Sequence, residues 1–205
     1  MLKYLRYNFD KRNKEVNKME NLTKERQLEI EDLVNSLLKQ NGYDEDKDTS
    51  FDIVELISNL GFNIGNAKLE DNEDGLIIIR DRNYPRTDKL GDKVIAMNRY
   101  RSVEAKRFII AHEFAFYILR YKGEDFFLHD MLIDKNDTKD FDIEYFALAL
   151  LMPQKSFIHT KNKLEKDGLM GNALILQLAT IYNVTISDVS ERITYLKNLG
   201  DAYVN

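Results

Sequence analysis

One stretch in the middle of the chain decides the fold, and from Arg107 to Leu119 it reads RFIIAHEFAFYIL. Its apolar side chains follow one another almost without interruption, so the stretch predicts a helix that is buried on nearly every side. Two ionisable side chains, His112 and Glu113, lie in its middle. Burying such groups costs free energy unless a hydrogen bond or a ligand satisfies them. The pair therefore marks a candidate functional site.

The pair nearly completes H-E-x-x-H, the helical zinc motif of metallopeptidases. In that motif two histidines four residues apart bind the metal from one helix face, and the glutamate acts on the metal-bound water. Here Phe116 stands where the second histidine belongs. A phenyl ring offers no lone pair to a metal, and it fills the space that the ion and its water would use. The stretch predicts a metallopeptidase helix with an incomplete metal site.

Length and composition narrow the protein class. The chain has 205 residues and is 43% hydrophobic, enough for one domain or a domain with a small appendage. Its net charge of -5 does not favour a general binder of nucleic acid or membrane surfaces. Cysteine is absent, no apolar run approaches the ~20 residues of a membrane span, and the N-terminus has no secretory h-region. These features predict a cytoplasmic protein that does not associate with membranes.

Three parts are predicted along the chain. Residues 1–18 are basic and polar, and we interpret them as a mobile N-terminal extension, or alternatively as a basic arm that touches an acidic partner. Residues 19–160 form the main domain, and residues 161–205 form a helical C-terminal subdomain.

The pattern of apolar residues predicts an α+β fold, with helices packed on a small β-sheet. Residues 122–140 are predicted to be a long surface loop or a short helix. The predicted helices cover residues 23–40, 50–60, 102–119, 142–151 and the tail from 169 onward, and the predicted strands cover 62–64, 75–80 and 93–98.

Capping residues sharpen the helix boundaries. Thr23 and Ser102 are predicted N-caps of the first helix and the central helix. Either Thr49 or Ser50 is predicted to cap the second helix, which Gly61 ends in the left-handed conformation.

Three blocks in order carry a family resemblance. The first is RFxxAHEF from Arg107, the second is DxxxFAxxLLMP from Asp142 to Pro153, and the third is LAxxYxVT from Leu178 to Thr185. Together they resemble the ImmA/IrrE family of bacterial and phage metallopeptidase-like proteins, over roughly residues 23–200. The resemblance implies a zincin-like fold with a helix-turn-helix-like C-terminal part.

The resemblance also implies functional roles. In active members, the two histidines of the first block and the glutamate that begins the second block hold zinc. The glutamate inside the first block is the catalytic base. By this resemblance His112 matches the first zinc ligand, Glu113 matches the general base, and Asp142 stands where a glutamate ligand is usual. Members cleave or antagonise helix-turn-helix repressors, and their genes often lie beside the gene for that repressor.

The metal site is expected to fail in this chain. A catalytic zinc needs about three protein ligands and an open water position, and His112 and Asp142 supply two ligands. His129, in the loop between the two helices, is a possible substitute ligand and is otherwise a surface residue, as is His159. We therefore expect no bound zinc cofactor and lost or impaired proteolysis. Replacing Phe116 with His is expected to recreate two imidazoles on the face that Asp142 meets.

Alternatives remain open at this point. Without a metal, His112 could hydrogen-bond Asp142, and Glu113 could accept a hydrogen bond from a strand amide, which would satisfy both groups. Phe116 is either a natural replacement or a substitution introduced to silence an active zinc peptidase. Three functions compete: a non-proteolytic protein acting on a helix-turn-helix repressor, a binding or sensor protein using the old peptide cleft, and a hydrolase with a rebuilt metal site.

The C-terminal block has helix-turn-helix spacing from Gln177 to Val189. A DNA-reading unit needs a basic second helix. Between Asp188 and Leu199 two cations are balanced by two anions, so the second helix is not basic. We interpret the block as a packing module or a repressor-docking surface, and direct binding of nucleic acid is not expected.

Overall fold

The computed structural model describes residues 5–7, 22–44, 50–70, 73–79, 91–121 and 139–200. Helices and a small sheet make up this part of the chain, which confirms the predicted α+β fold. In chain order the elements are β1 (Leu5–Tyr7), α1 (Lys24–Gln40), α2 (Ile53–Asn59), β2 (Asn63–Ala67), β3 (Gly75–Ile79), β4 (Lys93–Asn98), α3 (Val103–Arg120), α4 (Lys139–Leu151), α5 (Gln154–Lys166), α6 (Gly171–Tyr182) and α7 (Ile186–Leu199). Most of the predicted loop or short helix over residues 122–140 lies outside the described residues, which omit positions 122–138.

The caps of the first two helices follow local hydrogen-bonding rules. Thr23 caps α1 as predicted, because its side chain accepts a hydrogen bond from the backbone amide of Arg26. Asp52 caps α2 instead of Ser50 or Thr49, since it directly precedes the helix and accepts from two backbone amides. Gly61 follows α2 with a φ of 89°, which confirms the predicted left-handed helix end.

The sheet has the strand order β1-β3-β4-β2, with β3 antiparallel to both neighbours and β2 parallel to β4. The sequence predicts a mobile extension over residues 1–18. In the structure, Leu5–Tyr7 of this segment instead form a strand that pairs with Gly75 to Ile77 of β3. An uncovered edge strand presents unpaired amide and carbonyl groups that an extended segment can bond. The remainder of the extension lies outside the described residues.

Helix α3 forms the centre of the core. Every residue from Phe108 to Phe116 is buried, which confirms the prediction of a helix covered on nearly all sides. Gly75 of β3 lies so close to α3 that a Cβ added there would overlap the side chain of Ile109. Helix α4 covers another side of α3, and each residue from Tyr145 to Met152 is at most 1% exposed.

Helix α5 was absent from the sequence prediction, which ended the preceding helix at Met152–Pro153. In the structure the same proline starts a new helix instead, with a φ of -54° that suits a helix beginning. Phe157 and its neighbours on one face are buried, whereas His159 is exposed as predicted.

Helices α6 and α7 meet at 104°, within the range of a helix-turn-helix. Asn183 makes the turn in the left-handed conformation, with a φ of 52°. Thr185 and Asp188 then form a capping box at the start of α7. No single described helix is long and apolar enough to cross a membrane; α6 and α7 reach that threshold only when taken together as a bent pair.

A buried ionic cluster joins α7 to the rest of the molecule. Arg192 of α7, fully buried, donates two hydrogen bonds to Glu31 of α1, at 2.5 and 3.0 Å, and a third to the carbonyl of Met152 at 3.0 Å. Tyr145 of α4 donates to the same Glu31 carboxylate at 2.6 Å. Burial raises the pKa of Tyr145, so its hydroxyl stays protonated as a donor. The cluster fixes the helix-turn-helix on the core.

Candidate functional site

Helix α3 places the predicted site residues inside the core. His112, Phe116 and Arg120 follow one another at intervals of four residues, so they form one row along the helix. His112 and Phe116 are each 6% exposed, and Glu113 beside them is 3% exposed. The imidazole lies 6.0 Å from the ring of Phe108, centroid to centroid. The candidate residues therefore lie together where the sequence predicted them, in an apolar wall.

The environment of Glu113 is apolar rather than ionic. Burial raises the pKa of its carboxyl group from 4.5 to about 8. Within the described part of the chain no hydrogen bond or ion pair reaches this carboxyl, so the expected bond to a strand amide is not among its contacts. Burial therefore favours the protonated form of this carboxyl group at neutral pH.

Asp142 has ionic partners from two other helices. Its Oδ2 atom accepts a hydrogen bond from Nε of Arg26 on α1 at 3.0 Å, and Nη2 of Arg120 on α3 lies 3.9 Å from the same oxygen. The expected hydrogen bond with His112 is not among the contacts that the structure describes for this carboxylate. Asp142 therefore faces the last turn of α3, at the Arg120 end of the row, and is paired with guanidinium groups.

Zinc is the metal that the sequence resemblance implies, and the residues present do not fit it. The row on α3 supplies one imidazole, and the buried ring of Phe116 takes the next position. Asp142 is paired with two arginines. Across the described ranges, no group of three His, Cys, Asp or Glu side chains comes together as metal ligands would. His129, the possible substitute ligand, lies outside those ranges and stays a prediction.

An aromatic cluster lies one turn beyond Glu113. The hydroxyl of Tyr117 accepts a hydrogen bond from Nζ of Lys93 at 2.8 Å. The same ammonium group lies 4.7 Å from the Tyr117 ring centroid and 5.2 Å from that of Phe62, and Tyr121 stacks on Tyr117 at 4.9 Å. The ammonium group of Lys93 therefore already lies over two of these rings.

The helix-turn-helix lacks a basic outer face. Of the two cations on α7, Arg192 is fully buried against Glu31, and Lys197 is exposed. The remaining charge on α7 does not provide the positive surface that phosphate contacts require. Lys197 is therefore the one exposed cation on α7.

The sequence analysis did not identify the two arginines that form ion pairs with Asp142. Arg120 had a detectable signal, because it continues the His112–Phe116 row by one more turn. Arg26 had none, since it lies 116 residues from Asp142 and belongs to the exposed start of an ordinary amphipathic helix.

The chain was compared with solved structures, curated proteins and protein-family models. Among solved structures, a Mycobacterium tuberculosis transcriptional regulator is similar at 16% identity and a TM-score of 0.47, over 85% of this chain and 48% of that one. The present chain thus spans about half the length of that regulator. No curated protein matches significantly. Residues 72–194, more than half of the chain, match the family model described as Peptidase_M78, IrrE N-terminal-like domain. The chain belongs to the IrrE N-terminal-like domain family.

Proposed function

We propose that this chain is a cytoplasmic regulator that acts on a helix-turn-helix transcriptional repressor by binding it, without proteolysis. One observation carries the proposal: the fold of a metallopeptidase family is retained while its metal positions hold Phe116 and an arginine-paired Asp142. A cleavage mechanism needs an activated water, whereas binding needs only a surface.

The choice of partner rests on the family and on the C-terminal unit. The resemblance to ImmA/IrrE proteins implies a helix-turn-helix repressor as the target. The α6–α7 unit of this chain leaves apolar side chains at its surface, with Met170 76%, Leu176 57% and Ile186 55% exposed. Exposed apolar side chains combined with a non-basic second helix suit contact with protein better than contact with DNA.

The test uses a helix-turn-helix repressor encoded by a neighbouring gene, where the genome provides one, bound to its own operator. Adding the purified chain is expected to release the operator in a mobility-shift assay. Mass spectrometry of the same mixture is expected to find the repressor at full length. Cleaved repressor would overturn the non-proteolytic part of the proposal, and an unchanged shift over a wide range of chain concentrations would overturn the choice of partner.

Two variants separate repressor binding from proteolysis. Glu113→Gln removes the only carboxylate in the central apolar stretch, and it is expected to release the operator as well as the parent chain does. Phe116→His tests whether the parent is a silenced enzyme, because cleavage by this variant alone would show that one substitution had removed the activity. We expect no cleavage by either variant.

A further inference from the structure

The strongest unexplained feature is the set of contacts around Asp142. Three helices meet at its carboxylate: Asp142 lies on α4, Arg26 on α1 and Arg120 on α3. The Asp142 side chain is 14% exposed and that of Arg120 is 17% exposed, whereas that of Arg26 is 38% exposed, so Asp142 and Arg120 are largely shielded from water and Arg26 is partly solvated. Shielded charges interact more strongly than fully solvated ones.

The two arginines supply a positive charge next to the Asp142 carboxylate, as a metal ion does in a zinc site. A carboxylate that is mostly removed from water requires a compensating positive charge. In a zinc site the dication supplies that charge. Here the guanidinium group of Arg26 donates directly to Oδ2 at 3.0 Å, and Arg120 adds a second positive charge at 3.9 Å.

We infer that Arg26 and Arg120 replace the metal ion as the counter-charge of Asp142, so that this carboxylate is a structural ion-pair residue joining α1, α3 and α4. The inference concerns the site itself and does not depend on the identity of the partner. Its consequence is that Phe116→His alone should give only weak zinc binding. The third ligand is already bound to Arg26, and two positive charges next to it repel a dication.

Zinc titration of two variants tests the inference. Phe116→His should bind zinc weakly, because Asp142 remains paired with the arginines. The triple variant Phe116→His, Arg26→Gln, Arg120→Gln should bind zinc more tightly by about tenfold or more, since its carboxylate is released and the repulsion is gone. Calorimetry with zinc alone measures both affinities, and circular dichroism shows that each variant is folded. Equal affinities of the two variants would overturn the inference, as would tight binding by Phe116→His alone.

A double-mutant cycle in the parent sequence tests the structural role without any metal. Thermal midpoints are measured for Asp142→Asn, for Arg26→Gln and for the pair together. If Asp142 joins the helices through Arg26, both single variants lose stability and the double variant loses less than their sum. An unchanged or raised midpoint for Asp142→Asn would overturn the structural role, even if the triple variant failed to fold.

The same helix provides a matched control cycle. Arg26 also pairs with Glu29 at 2.9 Å, and the Glu29 side chain is 65% exposed. Exposed pairs three residues apart on a helix couple weakly. The Arg26–Glu29 cycle is therefore expected to show a smaller midpoint coupling than the Arg26–Asp142 cycle, and the reverse order would contradict the proposed role of Asp142.

Discussion

Two glutamates are buried to the same extent in this protein, yet their surroundings differ completely. Glu31 is 2% exposed and Glu113 is 3% exposed. Glu31 accepts two hydrogen bonds from Arg192 and one from Tyr145. Glu113 has no hydrogen bond or ion pair within the described residues, and burial raises its pKa to about 8. Compensation by neighbouring groups, and not burial, separates the two sites.

The core accommodates these two buried carboxyl groups in different ways. Around Glu31 the counter-charge comes from Arg192 of α7 and the hydroxyl donor from Tyr145 of α4. The backbone acceptor for Arg192 is the carbonyl of Met152, directly after α4. Around Glu113 the core supplies apolar atoms, and the carboxyl group carries a proton at neutral pH instead of a charge. The first arrangement holds a charge. The second, at the position that the family resemblance assigns to the general base, has no cation among the described residues that would favour the ionised form.

Breaking the Glu31 cluster is expected to give the largest effect. Arg192→Met leaves the Glu31 carboxylate buried without its bidentate partner, which should cost about 3–5 kcal/mol in the free energy of unfolding. Urea unfolding at pH 7 measures the loss. Replacing both partners, as Glu31→Met with Arg192→Met, is the control, because two apolar side chains leave no buried charge. A double variant that is less stable than Arg192→Met would contradict the interpretation of the cluster.

Neutralising Glu113 is expected to stabilise the protein. Its folded pKa of about 8 lies above the ordinary value of 4.5, so the folded state binds the proton more tightly than the unfolded chain. The resulting penalty is absent below pH 4.5, grows as the pH rises towards 8, and is complete above that value. Glu113→Gln should remove it, with a gain of at most about 3 kcal/mol at pH 7.

Urea unfolding of the parent and Glu113→Gln at several pH values between 5 and 9 measures this gain. The difference between the two proteins should increase with pH across that window. The same substitution at the exposed Glu25 controls for the change of side chain. A stability difference that stays flat, or shrinks, as the pH rises would show that Glu113 has a stabilising partner.

Removing one donor from the Glu31 cluster should have a moderate effect. Tyr145→Phe deletes the hydroxyl that lies 2.6 Å from the Glu31 carboxylate while keeping the buried ring. A hydrogen bond to a charged acceptor is worth about 2 kcal/mol, so a loss of that size is expected in thermal or urea unfolding. Tyr100→Phe provides the control, because Tyr100 is 68% exposed. Equal small losses in the two variants would place the tyrosine outside the ionic cluster.

The smallest effect concerns DNA. Because Arg192 is committed to Glu31, it adds nothing to the outer face of α7. Random-sequence duplex should therefore bind more weakly than the roughly 10⁻⁴ to 10⁻⁶ M that is typical of non-specific DNA binders, even at low salt. Fluorescence anisotropy over a range of salt concentrations measures this. Tight binding that falls steeply as salt rises would show a basic surface that the described helices do not provide.

Local sequence patterns were enough to predict most of the fold. The caps Thr23 and Ser102 follow from the hydrogen-bonding needs of helix ends, and the buried central helix follows from its continuous apolar run. Helix α5 was missed because Pro153 was interpreted as the end of structure, although proline fits the start of a helix equally well. Strand β1 was missed because its pairing depends on a β3 edge about seventy residues away.

The sequence was enough to propose which residues belong to the candidate site, but not which side chains they contact. The motif identified His112 and Glu113, and the absence of a second histidine was visible directly. Arg26 lies 116 residues from Asp142 and Arg192 lies 161 residues from Glu31, so no local pattern relates these pairs. Only the packing of the helices brings them together.

The Glu31–Arg192 pair also dictates an order of events during synthesis. Its two members are separated by 161 residues, and Arg192 belongs to the last described helix. Ribosomes add about 5–20 residues per second, so Glu31 emerges roughly ten seconds or more before its partner. Until α7 arrives, helix α1 carries an uncompensated carboxylate on the face that it must bury against α4. A nascent chain that ends before Arg192 is therefore expected to lack the counter-charge of Glu31, and this side of the core is expected to close when the C-terminal helix is added.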